Sequence, residues 1–211
     1  MPETDPSARP PEPEPGPAST RERLLDAAAQ LFLERGYAAT GVAAVLEKAG
    51  VRSGSLYHFF RSKEDLLLGV LDRYIELLHP VIIAPVEALT DDPIERVFVL
   101  LGRYREFLLM TDCRLGCPIG NLALEISDTH EEARRKVVQN FENWCAAVER
   151  WLVDAGKRLP ADVDRAALAR YVLTVMEGGQ MQAKAQKRIE PYDASVAGLR
   201  DHVLRLTAND E

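Results

Sequence analysis

The stretch from Thr40 to Lys63, TGVAAVLEKAGVRSGSLYHFFRSK, constrains the chain more than any other, because it reads as two short helices joined by a tight turn. Thr40 is placed to cap the first helix through its hydroxyl, and Val42, Val45 and Leu46 follow at helical spacing on one face. Gly50 can adopt the left-handed backbone that ends a helix and turns the chain sharply. Val51 then anchors the turn, and Arg52, Ser53, Ser55, Tyr57 and His58 leave it on an exposed side, with Gly54, Leu56 and Phe60 facing inwards. No acidic residue stands between Val51 and Ser62. Hydroxyls, a phenol, an imidazole and an arginine on such a helix can donate to phosphates and read base edges in a major groove. The expectation is a helix-turn-helix that binds double-stranded DNA.

The run VRSGSLYHFFRSKEDL resembles the recognition-helix signature of the TetR/AcrR family of transcriptional regulators. Upstream, LLDAAAQLFLERGYAA over Leu24 to Ala39 is similar to that family's first helix and the aromatic loop after it. The helix signals along the chain count to about nine with no convincing strand, an all-α protein, and the resemblance implies an N-terminal three-helix DNA-binding domain followed by a helical effector-binding and dimerisation domain. It also implies that Tyr57 and Lys63 grip backbone phosphates. Arg52, Ser53 and Ser55 are the candidates for base edges, Arg52 because arginine pairs in bidentate fashion with guanine, although phosphate is an equal reading for it. Thr40 and His58 complete the set, His58 with a surface-filling alternative. Phe59 departs from the histidine or tyrosine common in the family and cannot hydrogen-bond to DNA.

A net charge of −7 over 211 residues argues against nucleic acid only if it is averaged. From Thr20 to Lys63 seven bases stand against four acids, a net +3, whereas residues 1–19 and the chain after Lys63 are both acidic. A basic head on an acidic body is the charge pattern of a DNA-binding regulator. No apolar run approaches the roughly 20 residues that span a bilayer, and the proline- and acid-rich start is unlike a secretory signal. No membrane association and a cytoplasmic location are expected, with which three cysteines, too few for a disulfide framework, agree.

Three segments follow. Residues 1–18 hold seven of the thirteen prolines and four acids, and are expected to be a disordered tail; as a minor-groove arm they would have only Arg9 to offer. Residues 19–65 form the DNA-binding domain. Its first helix opens with a capping box, Ser19 to Glu22, buries Leu24, Leu25, Ala28, Leu31 and Phe32, and stops at Gly36, after which Tyr37 fills the head's core. Residues 66–211 form the effector domain. Ser62 caps a helix that links the two and breaks near His79-Pro80, with Pro85 in a possible continuation past a kink. Asp92-Pro93, Cys117-Pro118, Ser127 to Glu131 and Asp162 or Asp164 open the next helices, and Pro191 to Leu206 gives the last.

Polar residues set among apolar stripes mark an effector pocket: Tyr104, Asn121, Glu125, Trp144, Glu177 and Gln180, with Cys113 and Cys117 beside them. The cysteine pair lacks a second pair at ligand spacing, so no metal and no cofactor are expected. Cys117 precedes Pro118 at a helix start, where the dipole favours thiolate, and so reads as a sensor thiol; small buried packing residues are the competing reading for both cysteines. The stretch RLGCPIGNLALE also resembles a TetR branch with a Gly-Cys-x-x-Gly-Asn-Leu element, some members of which respond to small reactive or unsaturated molecules. Helices around Leu168 to Lys184 and Val196 to Leu206 are, by resemblance, the homodimer seam. The composite expectation is a ligand-responsive regulator, a repressor released from a palindromic operator by a small molecule or electrophile, or an activator of the same build. No nucleophile–base pair, phosphate loop or metal set argues for an enzyme.

Overall fold

The computed structural model describes residues 19–52, 54 and 56–208, and their regular structure is entirely helical. The tail expected at 1–18 and the serines 53 and 55 lie outside them. The helices are α1 (Thr20–Arg35), α2 (Val42–Ala49), α3 (Leu56–Phe59), α4 (Lys63–Leu77), α5 (Ala84–Glu87), α6 (Pro93–Met110), α7 (Pro118–Ile126), α8 (Glu131–Asp154), α9 (Arg165–Gln186) and α10 (Glu190–Ala208). A π-helical turn, Leu78–Ile83, joins α4 to α5, so that these three form one bent helix and the described residues hold nine in all. Pro80 lies inside that turn. A proline lacks the N–H of the α-ladder, and the wider turn carries the helix past it where the sequence pointed to a break.

The start signals act as their chemistry dictates. Ser19 and Glu22 close the capping box on α1, Ser62 caps α4, Asp92 caps α6 with Pro93 behind it, and Asp164 rather than Asp162 caps α9. Gly50 ends α2 in the left-handed conformation, with φ of 64°.

Two apolar cores result. One fills the body between α6, α8, α9 and α10 around Trp151, Leu101, Val148 and Tyr192. The other belongs to the head but does not stop at residue 65. Leu24, Phe32, Leu56 and Phe60 share it with Leu66 and Leu71 of α4, with Ile119, Leu122 and Ile126 of α7, and with Ala133 and Val137 of α8. The head is therefore seated on α7 and on the first turns of α8, as well as hung from α4.

Candidate DNA-binding head and effector cavity

In the head, Leu56 and Phe60 are buried and pin α3 from inside, while Tyr57, 66% exposed, His58 and Phe59 face outwards. Arg52 is exposed in the turn. Gly54 is exposed rather than turned inwards. Thr40 corrects the reading of it as both cap and DNA contact. It is 1% exposed, and its hydroxyl donates to the Gly36 carbonyl at 2.7 Å and lies 3.3 Å from that of Leu31. Gly41 is the N-cap of α2 and offers no side chain, so the first N–H groups of this helix stay open, a place where a phosphate can sit. A hydroxyl next to a helix start looked like a cap in sequence, but the returning α1 offered it nearer acceptors.

Lys63 is half-buried. Its ammonium lies 4.1 Å from the centre of the Tyr37 ring and 3.4 Å from the Ala38 carbonyl, and burial lowers its pKa. Tyr37 is buried as expected, edge-on to Phe32 and to His130 of the body.

Glu125 does not join the pocket cluster. From the last turns of α7 it reaches the loop between α1 and α2, where its two carboxylate oxygens accept from the backbone N–H groups of Tyr37, at 2.7 Å, and Ala38, at 2.6 Å. Gly36 makes room for it. Its φ of 87° suits only glycine, and a Cβ there would stand 3.0 Å from the carboxylate. The body thus holds the head by a carboxylate clasp.

The other polar candidates converge on one place between α6, α7, α8 and α9. Trp144 donates its indole N–H to the Tyr104 hydroxyl at 3.1 Å. Cys117 is the N-cap of α7, its sulfur 3.4 Å from the Gly120 N–H. The thiol faces Glu177, and burial first, then that carboxylate, push its pKa well up. This overturns the thiolate expected from the helix dipole: loss of solvation outweighs two weak N–H contacts. Burial likewise raises Glu177, and raises Tyr104 and the neighbouring Tyr74 of α4 above the usual phenol range. Asn121 accepts from the Lys184 ammonium at 3.2 Å.

Four buried polar atoms here have no partner: Asn121 Nδ2, Glu177 Oε1 and both amide atoms of Gln180, a residue only 1% exposed. Each such atom costs about 1–3 kcal/mol if nothing satisfies it, so ordered water or a ligand must meet these four on α7 and α9. Cys113 stands apart. It is buried in the body core, and the charges that act on it are those of Glu190, Lys187, Asp112 and Asp193, so it packs beside the start of α10 and not in the cavity.

Residues that the sequence reading did not single out complete the site. Gly120 lies directly beneath the Glu177 carboxylate, where any Cβ would overlap it. Lys184, seven residues after Glu177, closes on Asn121. A cleft of about 350 Å3 between the end of α1 and helices α7 and α9 is lined by Phe32, Arg35, Asn121, Leu124, Glu125 and Lys184 among others, and it touches the cluster through Asn121. The signal for Gly120 was legible: a glycine in the first turn of a helix is costly unless something occupies its missing side chain.

On the body's outer face, Val163, Leu168, Tyr171, His202 and Leu206 line a shallow apolar groove between α9 and α10. Tyr171 is exposed beside it. Among the described residues no helix is long and apolar enough to cross a membrane, and no group of His, Cys, Asp and Glu is arranged to hold a metal ion.

Comparison with known proteins agrees with this architecture. The family model of bacterial regulatory proteins of the tetR family matches residues 24–70, and that of the C-terminal domain of LmrA/YxaF-like transcriptional regulators matches residues 93–196. The HTH-type transcriptional regulator Rv0196 of Mycobacterium tuberculosis is 32% identical over 189 residues, 87% of this chain and 94% of its own. The HTH-type transcriptional repressor DhaR of a Mycobacterium species is 27% identical over 90% of this chain and 94% of its own. Among solved structures, a regulatory protein TetR from Rhodobacter sphaeroides superposes with a TM-score of 0.80 at 26% identity, over 87% of this chain and 98% of that one. The reduced form of Escherichia coli NemR gives 0.76 at 27%, over 89% and 97%. These relatives are regulators and not enzymes. With a recognition helix held outwards on a seated head, and both domains matched in order, the chain belongs to the TetR family of DNA-binding transcriptional regulators.

Proposed function

We propose that this protein is a repressor that holds a palindromic operator as a homodimer and releases it when a small molecule binds at the polar cluster between α6, α7, α8 and α9. The four buried polar atoms on Asn121, Glu177 and Gln180 that no group of the protein meets carry the reading, since a ligand can supply their partners. Two relatives bear the name of repressor, DhaR and NemR. Tyr57 and the open N-terminus of α2 bind phosphate, Arg52 and His58 face the groove, and Lys63 bridges the head's loop to the backbone, while Ser53 and Ser55, outside the described residues, remain candidates for base edges. The groove between α9 and α10 is the seam, which sets two recognition helices about one DNA turn apart, roughly 34 Å.

Release follows from the seating of the head. A ligand that satisfies Asn121 and Glu177 moves the first turn of α7, and the Glu125 clasp at its far end carries the movement to the loop before α2. The ligand needs only a higher affinity for the shifted arrangement. The half-buried Cys117 thiol, its pKa pushed well up by loss of solvation, favours a ligand held without a covalent bond over one captured by thiolate.

The test is a DNA shift on the region upstream of the protein's own gene, with Arg52→Ala, Cys117→Ser and Gln180→Leu beside the wild type. Arg52→Ala is expected to weaken specific binding by about 1–3 kcal/mol. Gln180→Leu is expected to bind DNA and ignore effectors that release the wild type. An electrophile that releases the wild type but not Cys117→Ser would replace this reading of the cavity with a covalent one.

A further inference from the structure

The charges around Glu177 are one-sided. The Cys117 thiol from α7 faces it, and the Tyr104 phenol of α6 and the Tyr192 phenol of α10, whose hydroxyl donates to the Leu101 carbonyl at 2.8 Å, are the other titratable groups whose field it shares, all neutral or able only to become negative. Lys184, the basic residue on the following turns of α9, gives its ammonium to the Asn121 amide oxygen. Glu177 Oε1 has no hydrogen-bond partner. A buried carboxylate without a counter-charge is expensive, and removing one partner of a buried ion pair leaves this situation behind. The partner missing here is a cation. Tyr104 and Trp144 add aromatic surface, whose electron-rich faces favour a positive charge.

Gln180, one turn further along the same helix face, sharpens the requirement. Both its amide oxygen and its amide nitrogen are buried without partners, as is Asn121 Nδ2. An ammonium ion satisfies the acceptors, Glu177 Oε1 and the Gln180 oxygen. The donors on Asn121 and Gln180 require an oxygen acceptor on the same ligand. An anion would be opposed by Glu177, and a neutral molecule would leave it uncompensated.

We propose that the effector is a small organic ammonium ion that also carries a hydroxyl or carbonyl oxygen, with Glu177 as its counter-ion and the amides of Gln180 and Asn121 as its orienting contacts. The proposal rests on the reading of this cavity as the effector site. It names Glu177 as the group that selects charge, and Gly120 as the residue whose missing side chain lets that carboxylate lie against α7.

Calorimetric titration of the full-length protein with three matched probes tests it: tyramine, and the neutral amide and anionic carboxylate built on the same hydroxyphenyl chain. Tyramine is expected to bind most tightly, and Glu177→Gln to weaken it by roughly tenfold or more while leaving the amide unchanged. Gln180→Leu, which keeps the counter-ion, is expected to weaken tyramine and the amide alike. Thermal melts of each variant establish that it folds. If the amide or the carboxylate binds the wild type as tightly as tyramine, and Glu177→Gln changes nothing, the ammonium class is overturned and the cavity stands as the effector site. If none of the three binds, the ammonium class and the reading of the cavity fall together.

Discussion

Asn121 and Glu125 stand one turn apart on α7, yet their surroundings are opposite. Glu125, on the surface, has both oxygens met by backbone N–H groups of the head. Asn121, further inside, has its oxygen met by Lys184 and its nitrogen met by nothing, beside Glu177 and Gln180 in the same condition. A polar group that the protein satisfies by itself holds structure together. One that it leaves open is a demand on something else. The two kinds lie one turn apart on a nine-residue helix, about 13 Å long, so the open group and the holding group move as one body.

The sharpest break of this contrast is Gly120→Val. A branched side chain where Glu177 lies against the α-carbon must evict the carboxylate or lift α7, and is expected to cost about 2 kcal/mol or more in urea melts and to abolish effector response. Its counterpart at the other end is Glu125→Ala. Two charge-assisted hydrogen bonds are lost there, at a partly solvated site, for about 1–2 kcal/mol. Hydrogen exchange at the Tyr37 and Ala38 amides should accelerate, and the ligand should still bind while DNA release weakens. If release is unaffected, α7 is not the connection.

What could be read from the string follows the same division. Ser19, Ser62, Asp92 and Asp164 cap their helices because capping is decided within four residues. The stripes of α1, α4 and α6 declared the core for the same reason. Thr40 misled because its hydroxyl turns back to the Gly36 carbonyl, four residues earlier, and not forward to the helix it precedes, and Glu125 because the head's loop comes to within 2.7 Å of it from 88 residues away in sequence. Chain order likewise does not reveal that Ile119, Leu122 and Ile126 complete the head's core. Tyr104, Asn121, Trp144, Glu177 and Gln180 were legible as polar residues on apolar helices. That they converge, and that four of their atoms go unpaired, is a three-dimensional fact.

A smaller effect, of opposite sign, distinguishes an open demand from a holding contact. Gln180→Leu removes two unpartnered buried atoms at nearly constant volume, and the empty protein is expected to gain about 1 kcal/mol in urea melts while losing its effector. A loss of stability would mean that Gln180 has a partner in solution, such as ordered water, and that the demand is already met.

Titration sharpens the contrast further, by comparing wild type with Glu177→Gln across pH. Burial raises Glu177 above the ordinary carboxylate range, so the folded protein holds that proton more tightly than the unfolded chain does. Its contribution to stability is fully present below the ordinary carboxylate pKa and is lost as pH rises through the raised value. Glu87 and Asp92 run the other way. The Trp151 indole N–H and the Arg150 guanidinium hold Glu87 low, Arg158 holds Asp92 low, and their stability is lost as pH falls, equally in both proteins. The difference between the two stability curves therefore isolates Glu177. It should be constant in acid, shift in favour of Glu177→Gln as pH rises to the raised pKa, and then stay level. Saturating tyramine should remove most of that difference, because a bound cation makes the ionised carboxylate an asset. A flat difference in the empty protein would mean that Glu177 is already compensated, and the site would have lost the feature that sets it apart from Glu125.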